Sequence, residues 1–395
     1  MGSVLKHLLT AVVALASFPL LAALETTQSL EVRFCPASAV WAYPLESQRE
    51  LQSLLLQNVA VINHGSARFN IDHIDIELLQ SSRVVESRHL DRNAIQHIAD
   101  RGVKLQTAGV LQQVAFQFCG TELIAPSIKL AGPTLDRDQA FLISSVITSE
   151  VFAFSGTRET VRVRVQGDAA GRAVEVIGML PIKSEFAKNT YKFPLRGICY
   201  VGIGASFHTG HRWGAPEEFA LDIAKLGDDG LTHRGDGTRF EDYYAYGAEV
   251  LAAADGRVIS MANDQPEDTA TMQRPGESQE AYTKRQRNDQ AKRLAKGSVA
   301  GNYVMIDHSK NEYSLYAHLQ PRSVRVHVGD HVKAGDAIAK LGSSGNSNEP
   351  HLHFHVCNKP DPLMCAGIPV KFSNVAIQWA DLPRPIQGGD IVIAK

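Results

Sequence analysis

The stretch that most constrains this chain is Pro350-His351-Leu352-His353-Phe354-His355-Val356. Side chains alternate across a β-strand with a period of two, so an extended segment places His351, His353 and His355 on one face and Leu352, Phe354 and Val356 on the other. One face suits chemistry and the other a core. Residues i and i+2 lie roughly 6.5–7 Å apart along a strand, close enough for two imidazoles to converge on one ion. A single histidine in a strand is ordinarily structural. Three in alternation with large apolar side chains, just after the loop Gly342-Ser343-Ser344-Gly345-Asn346-Ser347-Asn348, point to a site.

Residues 1–23 carry Lys6 and His7, an apolar run interrupted by Ser17 and Pro19, and small residues at Ala22 and Ala23. This is the pattern of a secretory signal peptide, with an uncleaved anchor as the alternative. Cys35 follows Val32-Arg33-Phe34, so no lipobox is present, and no later stretch is apolar enough to span a bilayer. A chain of 395 residues predicts two domains. The net charge of -2 argues against a nucleic-acid binder, which would need a basic excess. Export permits disulfides among Cys35, Cys119, Cys199, Cys357 and Cys365. Cys357–Cys365, closing a Pro-rich loop, is the favoured pair, and Cys35–Cys119 comes second. No cysteine shows zinc-finger spacing, so sulfur is assigned no metal role.

The region 24–194 contains alternating segments typical of half-buried strands: Leu30-Glu31-Val32-Arg33-Phe34, Val59-Ala60-Val61-Ile62-Asn63, Phe69-Asn70-Ile71-Asp72, Ile74-Asp75-Ile76-Glu77-Leu78 and Val161-Arg162-Val163-Arg164-Val165. Their spacing between turn residues predicts an antiparallel, immunoglobulin-like β-sandwich domain. Residues 91–118 space as helix instead, with a break expected at Gly102. His64, His73, His89 and His97 have no ligand spacing, and the region reads as a spacer, substrate-guiding or partner-binding module.

In 195–395, residues 247–259 read as strand, Asp-Gly turn, strand. Further short strands follow at 301–308 and 313–319, then 328–342 and the histidine strand. Glycine turns without intervening helices predict an open antiparallel sheet or small barrel, making the whole chain mainly β. An insertion at 263–297 is polar and helix-forming, with Lys284, Arg285, Arg287, Lys292, Arg293 and Lys296 in its second half. It is either a solvated surface helix or a basic flap over a groove. Residues 360–395 are Pro-rich and read as an extended tail closing over this domain.

Several blocks in order carry a family resemblance: Asp222, the segment 247–256, Gly301-Asn302-Tyr303-Val304, Tyr316-Ala317-His318-Leu319, Val332-Lys333-Ala334-Gly335 and His351-Leu352-His353. Together they resemble the LytM/lysostaphin-type zinc endopeptidases, peptidase family M23. The resemblance implies a LytM-like domain over 195–395, one Zn2+ per chain with Asp222 and His353 as ligands, and His318 and His351 in catalysis. It departs from the family at the first ligand, because the family's HxxxD spacing places Glu218 where a histidine is usual. His211 across an intervening loop containing Gly214 and Pro216 is the preferred ligand, Glu218 the alternative and His208 a weaker one. His355 stands where the family often has an acidic residue; it reads as a supporting or merely exposed imidazole.

Such a site, two imidazoles and one carboxylate, leaves a coordination position open, as hydrolytic zinc sites do. By the resemblance, zinc-bound water would be the nucleophile, His351 its general base, and His318 would steady the oxyanion or orient the water. Tyr303 and Tyr316 alternate with core residues and read as packing as readily as substrate contacts. The expected function is an exported, periplasmic or envelope zinc endopeptidase cutting the stem peptides of bacterial peptidoglycan. The alternative is a metal-free envelope protein that regulates a wall hydrolase. A biotinyl-type carrier reading of 332–342 leaves the histidines idle.

Overall fold

The computed structural model of the protein describes residues 29–45, 48–295, 299–381 and 383–395. The signal peptide expected at 1–23 lies outside the described residues. The chain opens with β1 (Leu30–Cys35), β2 (Val40–Leu45), β3 (Gln48–Leu56), β4 (Asn58–Asn63), β5 (Phe69–Gln80) and β6 (Arg83–Leu90). Helices α1 (Arg92–Thr107) and α2 (Val110–Gln113) follow. Next come β7 (Lys129–Leu130), β8 (Thr134–Leu135), β9 (Gln139–Ser144), β10 (Glu150–Ser155), β11 (Thr160–Ala169) and β12 (Arg172–Lys183). Among the described residues these strands make two sheets, ordered β1-β4-β9-β7 and β10-β3-β2-β12-β11-β5-β6, with β8 beside β5. Both sheets pack on one apolar core. Alternation sets this up: Val161, Val163 and Val165 of β11 are fully buried, while the arginines between them face out towards Glu77 and Glu175.

Two expectations change here. The segments around 70 and 76 are one continuous strand, because β11 pairs with β5 from Phe69 to Leu79 across a single register shift at Gln166/Gly167. The helix runs through Gly102 and stops at Gly109, whose φ of +72° is left-handed. Gly102 faces the core with Ile95, Ile98 and Ala99, and a Cβ there would meet Ile147 Cδ1 at 3.1 Å, so it marks close packing and no break. The Asp91 carboxylate caps the first turn, accepting from the Ala94 N–H at 2.8 Å.

A second apolar core begins at Tyr191 and is built on β13 (Gly197–Ile203), β14 (Leu221–Lys225), β15 (Glu249–Leu251) and β16 (Gly256–Ala262). After α3 (Gln279–Ala295) come β17 (Asn302–Asp307), β18 (Tyr313–Leu319), β19 (His331–Val332), β20 (Ala337–Lys340), β21 (Leu352–Cys357), β22 (Val375–Ile377) and β23 (Ile391–Ala394). Among the described residues they form an open sheet, β19-β16-β17-β18-β21-β14-β13-β23-β22, and a small one, β15-β20. The expected hairpin at 247–259 does not form: β15 pairs with β20, and β16 with β17 and β19. The Asp255 carboxylate instead receives the Ala334 N–H at 2.9 Å and Lys333 Nζ at 3.0 Å. Nor is the tail merely extended, since β22 and β23 complete one edge of the sheet.

The cysteines also depart from expectation. Cys35 and Cys119 form the disulfide, joining β1 to the segment after α2. Cys357 and Cys365 are free and buried, as is Cys199. The insertion does contain a helix, α3, but Arg285 is no loose cation. It bonds Glu277 at 2.7 and 2.8 Å and also the carbonyls of Ala270 and Met272. No described helix is long and apolar enough to cross a membrane.

Candidate metal centre

Register brings the histidines to the carboxylate. β14 runs antiparallel to β21 with Asp222 opposite His353, Leu221 opposite Phe354 and Ile223 opposite Leu352. Directly opposed residues share a face. The same pairing that sets Asp222 beside His353 therefore sends Leu221, Ile223, Leu352 and Phe354 into the core beneath. On the other flank of β21, Ala317 of β18 stands opposite His353. His318 adopts φ of +63°, a left-handed conformation that interrupts alternation for one residue. Its backbone N–H donates to the Ala300 carbonyl at 3.0 Å, and its ring lies 4.8 Å from that of His351 and 5.9 Å from that of His353.

His211 arrives from the 3-10 turn His211–Trp213. Its neighbour Arg212 is wholly buried, with the guanidinium 5.4, 5.2 and 5.1 Å from the rings of Tyr43, Phe207 and Phe219. That anchor holds the turn so that the His211 ring meets His353 edge-on at 4.9 Å. The result is a compact donor set. His211, Asp222 and His353 offer ligand atoms all within 4.8 Å of one another. His353 Nδ1 is 3.0 Å from Asp222 Oδ1, His211 Nε2 3.5 Å from Oδ2, and His351 Nε2 3.6 Å from Oδ1.

Glu218 is turned away from this cluster. Its carboxylate accepts from Gln57 Nε2 at 3.0 Å and lies 3.3 Å from Arg212 Nη1. Burial pushes its carboxyl up to about 7 against the opposing pull of Arg212 and Gln57. His208 is exposed. His355 is not: it is 1% exposed, and its Nδ1 lies 3.0 Å from His353 Nε2. Tyr316 is in the core, where its hydroxyl oxygen accepts from the Ala253 N–H at 2.7 Å, while the Tyr303 hydroxyl meets Ser260 at 2.8 Å.

The electrostatics favour a cation. Burial acts to raise the Asp222 carboxyl, but His211, His351 and the hydrogen bond from His353 outweigh it and hold the group far below the usual carboxylate range. Burial drives His318 well below its ordinary value, helped by His351 and His353, so it is neutral. Carbonyl oxygens only accept, which fixes two tautomers. His318 Nδ1 must donate to Ser344 O at 2.8 Å and His351 Nδ1 to Glu349 O at 2.8 Å, which leaves the neutral His318 ring a lone pair on Nε2 and turns His351 Nε2 towards Asp222. An ionised carboxylate beside two imidazoles is a donor set that suits zinc.

These groups line a groove of about 720 Å³. Its walls include Val114, Phe116 and Gln117 from the first half of the chain and Tyr282, Thr283 and Gln286 from α3. The wall from the first half was not legible in the sequence. The three residues after α2 reach the groove only because the two cores dock, and they have no ligand-type chemistry to betray them.

Residues 236–364 match the model of peptidase family M23. The chain contains an M23 domain. The matched stretch includes His318, His351 and His353, and His211 and Asp222 lie upstream of it. The chain is similar to the peptidoglycan DD-endopeptidase ShyB of Vibrio cholerae, 39% identical over 79 residues, 20% of this chain and 18% of that protein. Murein hydrolase activator EnvC of Escherichia coli is 43% identical over 56 residues, 14% of this chain and 13% of that one. Cell division protein DipM of Caulobacter vibrioides is 25% identical over 195 residues, 49% of this chain and 22% of that one. The matches thus span only a minor part of these relatives. Among solved structures, the lysostaphin catalytic domain of Staphylococcus simulans aligns at 17% identity and a TM-score of 0.23, covering 46% of this chain and 95% of that one. A zinc-containing peptidase from Vibrio cholerae aligns at 15% identity and a TM-score of 0.23, covering 89% and 91%.

Proposed function

We propose that the protein is a zinc endopeptidase of the cell envelope that hydrolyses peptide cross-links of peptidoglycan. The observation that carries this reading is the convergence of His211, Asp222 and His353 on one point, with His318 and His351 beside it in an open groove. His211, Asp222 and His353 would hold the ion. Zinc in such a site acts as a Lewis acid and makes water acidic enough to lose a proton near neutral pH.

The chain's own residues do the rest. His351, with its Nδ1 proton committed to Glu349 O, presents the Nε2 lone pair and can take a proton from water and return it to the leaving amine. His318 is neutral and presents Nε2 in the same way, so its role is to orient water as an acceptor; it has no proton there for an oxyanion. Asp222 supplies the negative charge, and its neighbours keep it ionised. Phe116, Gln117 and α3 form part of the wall of the groove. The two cores correspond to two modules, an N-terminal β module that completes the groove and an M23 module that contains the chemistry.

The test is digestion of purified peptidoglycan by the full chain, with products read by mass spectrometry. Cross-linked peptides should disappear, chelator should stop the loss, zinc should restore it, and Asp222→Asn should abolish it. The similarity to an activator of murein hydrolases gives the competing reading its content. A chain that holds no zinc and leaves the wall intact, yet raises the activity of a separate wall hydrolase, would replace the enzyme with a regulator.

A further inference from the structure

Beneath the groove, β21 continues its alternation past His353 to His355 and Cys357. The strand then turns back, and an antiparallel bridge between Cys357 and Gly367 brings Cys365 alongside. The return is fixed by the Asp361 carboxylate, which accepts from the Leu363 and Met364 N–H groups at 2.9 and 2.7 Å, and by the Ala366 N–H donating to Asn358 Oδ1 at 2.9 Å. His355, Cys357 and Cys365 are 1%, 0% and 2% exposed, and their ligand atoms all lie within 4.8 Å of one another. The two thiols are not joined.

His355 shows what the cluster lacks. Its Nδ1 is engaged by His353, and its Nε2 is buried with no hydrogen-bond partner among the described residues. An orphaned ring nitrogen in an apolar interior is costly unless something fills the space before it. Cys357 Sγ lies 3.4 Å from Lys359 O and 3.8 Å from Asp361 O, weak contacts for a thiol. Around the sulfurs are the apolar side chains of Met305, Leu315 and Ala317.

We propose that His355, Cys357 and Cys365 form a second cation site for a thiophilic divalent ion such as Zn2+ or its stand-in Co2+, whose occupation competes with occupation of the groove site. Two thiolates and one neutral imidazole would cancel a dication's charge, which makes burial affordable, and sulfur ligands favour soft ions over Mg2+ or Ca2+. Binding Zn2+ releases both thiol protons to solvent and changes no oxidation state.

The competition follows from counting protons. Each neutral imidazole carries one. A cation on His355 Nε2 puts that ring's proton on Nδ1, where it is donated to His353 Nε2, 3.0 Å away. His353 must then carry its own proton on Nδ1, pointing at Asp222 Oδ1 3.0 Å away. That is the atom nearest the carboxylate of the groove site. A cation taken there by His353 Nδ1 forces the opposite tautomer, with Nε2 donating to His355 Nδ1 and a proton left on His355 Nε2. Both cations at once would set two N–H groups head to head.

The second site stands whether or not the groove hydrolyses anything, although the competition rests on the groove site holding an ion. The experiment titrates the reduced, metal-free full chain with Co2+, reading the visible ligand-field bands of any bound ion and the near-ultraviolet thiolate charge-transfer band that only sulfur ligation gives. Asp222→Asn, which weakens the groove site, should bind one equivalent and show the charge-transfer band, and Cys365→Ser added to it should lose both. Cys365→Ser alone should bind one equivalent without the band; if it binds none while Asp222→Asn still binds, the groove reading fails and the second site survives. In the unmodified chain the charge-transfer band should need more cobalt than in Asp222→Asn, and equal affinities would overturn the competition. A folded Asp222→Asn chain with no charge-transfer band would overturn the site. So would counting one free thiol in the unreduced, denatured chain in place of Cys199, Cys357 and Cys365, because it would mean a Cys357–Cys365 disulfide.

Discussion

Glu218 and His211 lie seven residues apart and face different chemistry, which makes the pair a sharp test of the centre. Glu218 balances the buried Arg212, so Glu218→Ala leaves a cation stranded and should cost about 3–5 kcal/mol of stability. Denaturant melts should show that loss, and metal analysis should find zinc retained. His211→Ala should do the reverse, losing the ion with little change in the apo-protein's melt. His308 carries a separate, pH-dependent contribution. Burial lowers its pKa below the ordinary histidine value, opposed by the bond to Asp255 O and by Asp307, Glu312 and Asp255. The folded state therefore prefers the neutral ring. Its contribution is fully present above the unfolded pKa and is lost as pH falls through the lower folded value. Denaturation midpoints should drop as pH falls below the ordinary histidine range, and His308→Gln should flatten part of that drop.

At the scale of elements, α3 is the piece whose role is most open to measurement. It closes one side of the groove with Tyr282, Thr283 and Gln286, and it is tied down through Arg285 to Glu277 and through the side chain of Gln286 to Thr271 O. A helix so placed restricts access. Replacing 277–297 with a short Gly/Ser linker should raise kcat/KM severalfold on a short soluble peptide and less on intact wall. Equal turnover of both substrates before and after would remove the gating role. The strand pair β14 and β21 shows the opposite behaviour, since its register admits no slack. A slip of one residue would bury Asp222 among Leu352 and Phe354 and expose the apolar set.

Across the whole molecule, the two cores meet through Trp41, Tyr43 and Phe219 and through Gln57 and Ser53 reaching to Glu218 and Arg212. This seam carries the His211 turn. Tyr43 is 4% exposed and packs on Phe219 at 5.1 Å, so Tyr43→Ala should cost about 3 kcal/mol. It should also loosen His211 without touching the groove. Zinc affinity measured by chelator competition should fall together with stability; a fall in stability alone would mean that the turn holds its place without the first half.

The strand character of 352–357, the shared face of its histidines and the ordered blocks of the M23 domain were legible in the sequence, because alternation and ligand chemistry are local properties. In the first half, β1, β4, β5 and β11 were legible for the same reason. Tertiary structure alone decided the rest. Which cysteines pair depends on Cα positions that are 84 residues apart along the chain. That His211 and not Glu218 faces Asp222 depends on a buried Arg212 held by rings from both halves. That His355 has an orphaned nitrogen beside two thiols depends on a chain reversal at 358–364. Periodicity records which face a side chain takes, but only long-range packing determines what stands opposite that face.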